Sequence, residues 1–207
     1  MSEKNMLGGA LAEVAGPLKD FAEKLGGEGG EEWLAAFKRF LRKEETWPKF
    51  PIWKTIELGG FKTADDFRKA INGVRMKIST WANDILGRSV ITNRKVKLDL
   101  VMLTTAELTG KKEGGTTAEV FAGAARLGLE KCPAEAGPQL RLQYQDQLNG
   151  EWIIVGMKPI TGSGGGLGMF SVMRGDSGLL WLDGGPWGGS DGIWYPGGRW
   201  VFRLLRK

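Results

Sequence analysis

Four tryptophans, Trp181, Trp187, Trp194 and Trp200, stand six or seven residues apart in a stretch so rich in glycine that it cannot pack on itself. Such a segment has two outcomes. Either the indoles fold inward as the core of a loop-rich sheet, or they offer flat apolar faces, each with one N–H, to a ligand. In the second case Asp183, Ser190, Asp191, Tyr195 and Arg199 are the neighbours able to supply polar discrimination. The candidate ligand-binding set is therefore Trp181, Asp183, Trp187, Asp191, Trp194, Tyr195 and Arg199.

The same 207 residues contain no histidine and one cysteine, which removes most familiar catalytic constellations. Gly175-Asp176-Ser177-Gly178 looks like the nucleophile turn of trypsin-like serine proteases, but Leu179 replaces the next glycine and no imidazole exists to take the serine proton. It reads as a β-turn. Cys132 cannot pair with a histidine or form an internal disulfide, so it reads as a packed thiol in a reducing, cytoplasmic setting. Gly162-Ser-Gly-Gly-Gly-Leu-Gly168 lacks the lysine of a phosphate-binding loop and joins strand to strand, which makes it a mobile hairpin loop. The aspartates at 176, 183 and 191 do not follow calcium-loop spacing. No cofactor and no metal is expected.

Two alternatives to simple binding stay open. The first is nucleic-acid association through the phosphates, by residues such as Arg141, Arg199, Arg203 and Lys207, because residues 199–207 carry four basic side chains and no acid. A carboxylate pair, Glu135 with Asp146 or Asp183, can in principle cleave a glycosidic bond without imidazole.

Apolar spacing of three and four predicts helices over about 7–24, interrupted or restarted at Pro17, and over 31–43, where Trp33, Phe37, Phe40 and Leu41 oppose Lys38, Arg39, Arg42 and Lys43. The second helix is a candidate contact for the main core, a partner helix or a lipid surface. A proline-stiffened connector around Trp47-Pro48 and Phe50-Pro51 marks a boundary, giving a helical segment 1–46 and an α+β domain 47–207. Thr63 and Thr116 each begin a capping spacing, and Ser79 or Thr80 caps a further short helix. Strands are predicted at 53–58 and 96–103. After Pro138 the period switches to two, with Leu140, Leu142 and Tyr144 alternating with polar residues. Asn149-Gly150 then turns a hairpin, and strands follow at 152–157, 169–173, 179–182 and 200–205. The fold class is α+β: helices first, then a mainly antiparallel meander with Gly/Trp-rich loops. No stretch reaches the roughly 18 apolar residues of a membrane span.

The runs Glu32–Lys43, Trp53–Gly59, Trp81–Gly87, Leu129–Tyr144 and Arg199–Lys207 resemble a family of uncharacterised short proteins from candidate-phylum bacteria. The resemblance extends over nearly the whole chain, with the tail departing most. It implies a bacterial origin and a shared fold, and carries over no activity, ligand or functional residue. The expectation is a non-catalytic binding or accessory protein, engaging a protein, a glycan or another ligand.

Overall fold

The computed structural model describes residues 3–27, 29–42, 50–74, 76–92, 94–189 and 192–204. They divide into two compact units, Met1–Pro48 and Lys49–Lys207. The boundary expected at 46/47 falls within 43–49, outside the described residues, as do Ser190, Asp191 and Lys207.

The first unit is a helical hairpin. Helix α1 (Glu3–Leu25) runs unbroken through Pro17, against the expected interruption, and α2 (Gly30–Leu41) follows a glycine turn. Gly29 takes φ +82°, the left-handed conformation that favours glycine, and lets the chain reverse. Phe21 meets Phe37 at 4.4 Å between ring centroids, and the Lys24 ammonium lies 4.7 Å from the Trp33 ring centroid.

The second unit is α+β. Strand β1 (Lys54–Leu58) is followed by α3 (Ala64–Gly73), β2 (Lys77–Ile78), α4 (Thr80–Gly87), β3 (Val96–Thr104) and α5 (Thr105–Thr109). Then come β4 (Gly115–Thr116), α6 (Thr117–Arg126), α7 (Ala136–Gln143), β5 (Trp152–Val155), β6 (Ile160–Thr161), β7 (Leu167–Arg174), β8 (Leu180–Gly185), β9 (Ile193–Trp194) and β10 (Arg199–Leu204). Local chemistry explains the helix starts. Thr63 with Asp66, Thr104 with Glu107 and Thr116 with Glu119 are reciprocal capping boxes, and Ser79 caps α4 through the Ala82 amide.

The main sheet has the order β1-β3-β10-β5-β7-β8-β2, with β6 paired to β7. Most pairs are antiparallel, but β10 runs parallel to β5 and β2 parallel to β8. This corrects the meander: β10 does not follow β8 at an edge but inserts between β3 and β5. A second correction concerns 140–145, which is helix α7 and not a strand. Pro138 sits in its first turn, where a missing N–H leaves no intrahelical bond unmade. Asn149-Gly150 is accordingly a turn between a helix and a strand, with Gly150 at φ +73°.

Strand alternation gives the sheet two faces. On one, α7, α3 and α4 bury Leu140, Phe67, Ile71, Ile85 and Leu86 against Phe170, Val172 and Leu182. A Cβ on Gly137 would lie 2.6 Å from Phe170, so this glycine sets how closely α7 approaches β7. Leu103, Trp200, Ile154, Ser171 and Asp183 form one cross-strand row of the other face, and Trp152, Met173 and Trp181 the next. Helix α6 and the glycine-rich tail cover this side. No helix among the described residues is long and apolar enough to cross a membrane.

Candidate binding site beside the tryptophan cluster

The tail resolves the inward-or-outward question differently for each ring. Trp200 and Trp194 are buried, and Trp181 and Trp187 are half-buried. Trp152, Trp187 and Trp194 make a three-ring cluster with centroids 5.2, 5.9 and 6.1 Å apart, and Trp194 meets Trp200 edge-on at 4.9 Å. Phe121 of α6 packs edge-on against Trp200 and Phe202, each at 6.2 Å. A buried indole usually finds an acceptor for its N–H, and Trp194 and Trp200 do so while the buried Nε1 of Trp152 has none among the described residues. Trp194 Nε1 donates to Thr117 Oγ1 (2.9 Å) and Trp200 Nε1 to Thr105 Oγ1 (3.1 Å), so the first residues of α6 and α5 both serve the cluster. The Thr117 hydroxyl in turn donates to the Trp187 carbonyl at 3.0 Å, which ties the tail down.

A pocket of about 320 Å³ opens beside this cluster, between the Leu148–Trp152 turn and the Tyr195–Arg199 loop. Glu151 lies in its wall with a side chain only 7% exposed. One carboxylate oxygen accepts from Arg199 Nη1 at 2.5 Å, and the other accepts the Tyr144 hydroxyl at 2.6 Å. Burial, and then the Glu151 carboxylate, push the Tyr144 phenol well above its usual range, so it stays a donor. Behind it, Arg141 is fully buried, giving hydrogen bonds to Gln147 Oε1 (2.5 Å) and to the carbonyls of Met173 (3.3 Å) and Tyr144. Burial pulls its guanidinium down to about 10. Gln147 passes the network on, donating to the carbonyls of Glu151 and Val172 at 3.1 Å each. The turn that carries Glu151 is thereby fixed from below.

The remaining wall is aromatic. Tyr195 is 56% exposed and Trp152 half-buried, while Leu148 and Asn149 form an open rim. A second pocket, of about 280 Å³, lies between Pro186–Trp187 and Gly192–Trp194. Trp152 therefore lines the first pocket and packs against the two indoles that line the second.

Of the predicted residues, Tyr195 and Arg199 converge on the first pocket, and Trp187 and Trp194 on the second. Trp181 and Asp183 stand on β8, in neither pocket, and Asp191 lies outside the described residues. Sequence reasoning missed Glu151, Trp152 and Tyr144. The usable signal was Asn149-Gly150, a turn that delivers the acid Glu151 and an indole directly into a strand.

The residues of the two alternatives lie in separate surroundings. Arg141 presents no charge to solvent, Arg199 is paired with Glu151, and Arg203 lies 3.6 Å from Glu130. Among the proposed carboxylates, Glu135 accepts from the Gly59 and Thr92 amides (2.7 Å each) and Gln139 (3.1 Å), which makes it a staple between loops. Asp146 is exposed and 3.7 Å from Lys54. No two of Glu135, Asp146 and Asp183 share a described pocket. The Gly162–Gly168 loop is anchored, because Asp84 of α4 accepts from the Ser163 amide (2.6 Å) and hydroxyl (3.1 Å).

Compared with protein-family models, with curated proteins and with solved structures, the chain matches none.

Proposed function

We propose that the protein is a non-catalytic binding protein whose ligand occupies the pocket between the Leu148–Trp152 turn and the Tyr195–Arg199 loop. One observation carries this reading: an exposed tyrosine ring stands beside a carboxylate–guanidinium pair held rigidly by a buried hydrogen-bond network. The pair sums to zero charge, so neither a cation nor an anion gains from it as a whole. Its oxygens and nitrogens still offer directional acceptors and donors. An aromatic plane with such groups at its edge suits an uncharged, hydroxyl-bearing ring, that is, one sugar residue of a glycan. The volume lies at the lower end of the roughly 300–1,000 Å³ of small-ligand pockets, which favours a single ring. A reducing, cytoplasmic setting belongs to the same reading and is supported by the single buried thiol.

The test is an NMR and tryptophan-fluorescence titration with a panel of methyl glycosides, run on the native chain, Tyr195→Ala and Arg199→Gln. Binding weakened about tenfold or more in both variants is the expected result, with the melting temperature unchanged in Tyr195→Ala and lowered in Arg199→Gln, which takes the charge partner from the nearly buried Glu151 carboxylate. Equal titration curves for all three proteins would remove the pocket from consideration.

A further inference from the structure

A larger and chemically different pocket, of about 490 Å³, lies where three loops converge. Its walls are apolar: Val90, Pro133, Ala134, Pro159 and Ile160. Val90 is 85% exposed and forms the outer rim of the bowl. The walls are tied to one another and to the sheet. The Val90 loop is held where the Thr92 amide donates to Glu135 (2.7 Å) and the Ser89 hydroxyl to the Ile85 carbonyl (2.8 Å). Pro133 follows Cys132, whose amide donates to the Gly156 carbonyl at 2.8 Å. Pro159 and Ile160 leave β5 and enter β6, and the two prolines further restrict the backbone. The bowl is thus preformed, which lowers the entropic cost of filling it.

Three charged residues line the bowl, and their balance selects the occupant. Arg88 is answered by Asp84, 3.3 Å from its Nε. Glu135 already receives three N–H donors. Lys158 is exposed and, among the described residues, makes no ion pair. The three donors to Glu135 are uncharged amides, so it keeps its charge, but it is 1% exposed and both its oxygens are occupied. Among the described residues, Lys158 is the lining cation without a counter-ion, at the open edge of an apolar bowl. The geometry points to a second binding site here, for a small monocarboxylate with an apolar body, its chain or ring against Val90, Pro133 and Ile160 and its carboxylate at Lys158. This site shares no lining residue with the proposed glycan pocket and stands or falls without it.

Calorimetric titration of the full chain with hexanoate, hexanamide and hexylammonium keeps the apolar body constant while changing only the head group. Hexanoate binds best, hexylammonium at least about tenfold more weakly, and Lys158→Glu inverts that order. Because Lys158 is exposed, this variant keeps the native melting temperature. Ala134→Trp fills the bowl and removes hexanoate binding, which separates this pocket from other apolar surface on the chain. Equal affinity for the three head groups, or hexanoate binding unchanged in both variants, overturns the assignment.

Discussion

The Tyr144 hydroxyl donates to Glu151 at 2.6 Å, and this one bond couples the end of α7 to the wall of the binding pocket. Replacing the phenol by Phe leaves a carboxylate oxygen nearly dry and without its donor. Tyr144→Phe should therefore lower stability by about 1–3 kcal/mol in denaturant unfolding and loosen the pocket turn, seen as faster amide exchange at Gly150–Trp152.

Burial of the phenol, and after it this bond, sets an alkaline dependence. Folding raises the Tyr144 pKa above its ordinary value near 10. Its contribution is thus complete below pH 10 and is lost as the pH climbs beyond that, where the unfolded chain ionises and the folded one does not. Tyr144→Phe should have a flatter stability profile above pH 10 than the native chain.

Arg141 is a second support of the turn, and its loss strands several acceptors. Arg141→Ala should cost about 3 kcal/mol or more, since buried hydrogen bonds to a charged group are worth about 1.5–3 kcal/mol each. Whatever affinity the chain has for polyanions should not change in a filter-binding assay, because the guanidinium never meets solvent.

Burial pushes the Cys132 thiol up to about 12, and its Sγ faces the Val201 carbonyl at 3.7 Å. Iodoacetamide at pH 8 should leave the native protein unmodified and alkylate it rapidly in 6 M guanidinium, read by mass spectrometry. Rapid modification of the folded chain would contradict the packing around β5 and β10.

Gly137 offers a packing test. Gly137→Ala places a methyl group 2.6 Å from the Phe170 side chain, where neither α7 nor β7 has slack. A loss of about 1–3 kcal/mol is expected from such overpacking, with a lower melting temperature as the readout.

Features written in a few neighbouring residues were legible in the sequence. The capping pairs Thr63–Asp66 and Thr116–Glu119 mark helix starts that need no distant partner, and Asp176–Gly178 makes its turn with Gly178 at φ +77°. Thr104–Glu107 has identical spacing but was hidden behind the apolar run of β3. Helix α7 was misread because Leu140, Leu142 and Tyr144 alternate over too short a window to separate periods of two and 3.6, and because Pro138 looked like a stop. Its polar alternates do not share one environment: Gln143 and Gln145 are exposed, whereas Arg141 is buried and bonded to Gln147, a partner supplied only by the fold. The binding pocket was half legible. Tyr195 and Arg199 were visible as neighbours in sequence, whereas Glu151 and Trp152 join them only through the β5–β10 pairing across nearly 50 residues.

The position of β10 in the sheet also governs how the domain is assembled. Trp200 reaches Thr105 across 95 residues of sequence, and β10 itself joins β3 to β5. Until that strand arrives, β3 and β5 each present a bare edge of unpaired amides and carbonyls, the kind of surface on which chains associate wrongly. Such long-range closure slows folding, because the loop entropy is lost before the contacts form. The tryptophan cluster forms at the same step, so its burial is a natural clock for refolding and a marker for the species most exposed to aggregation.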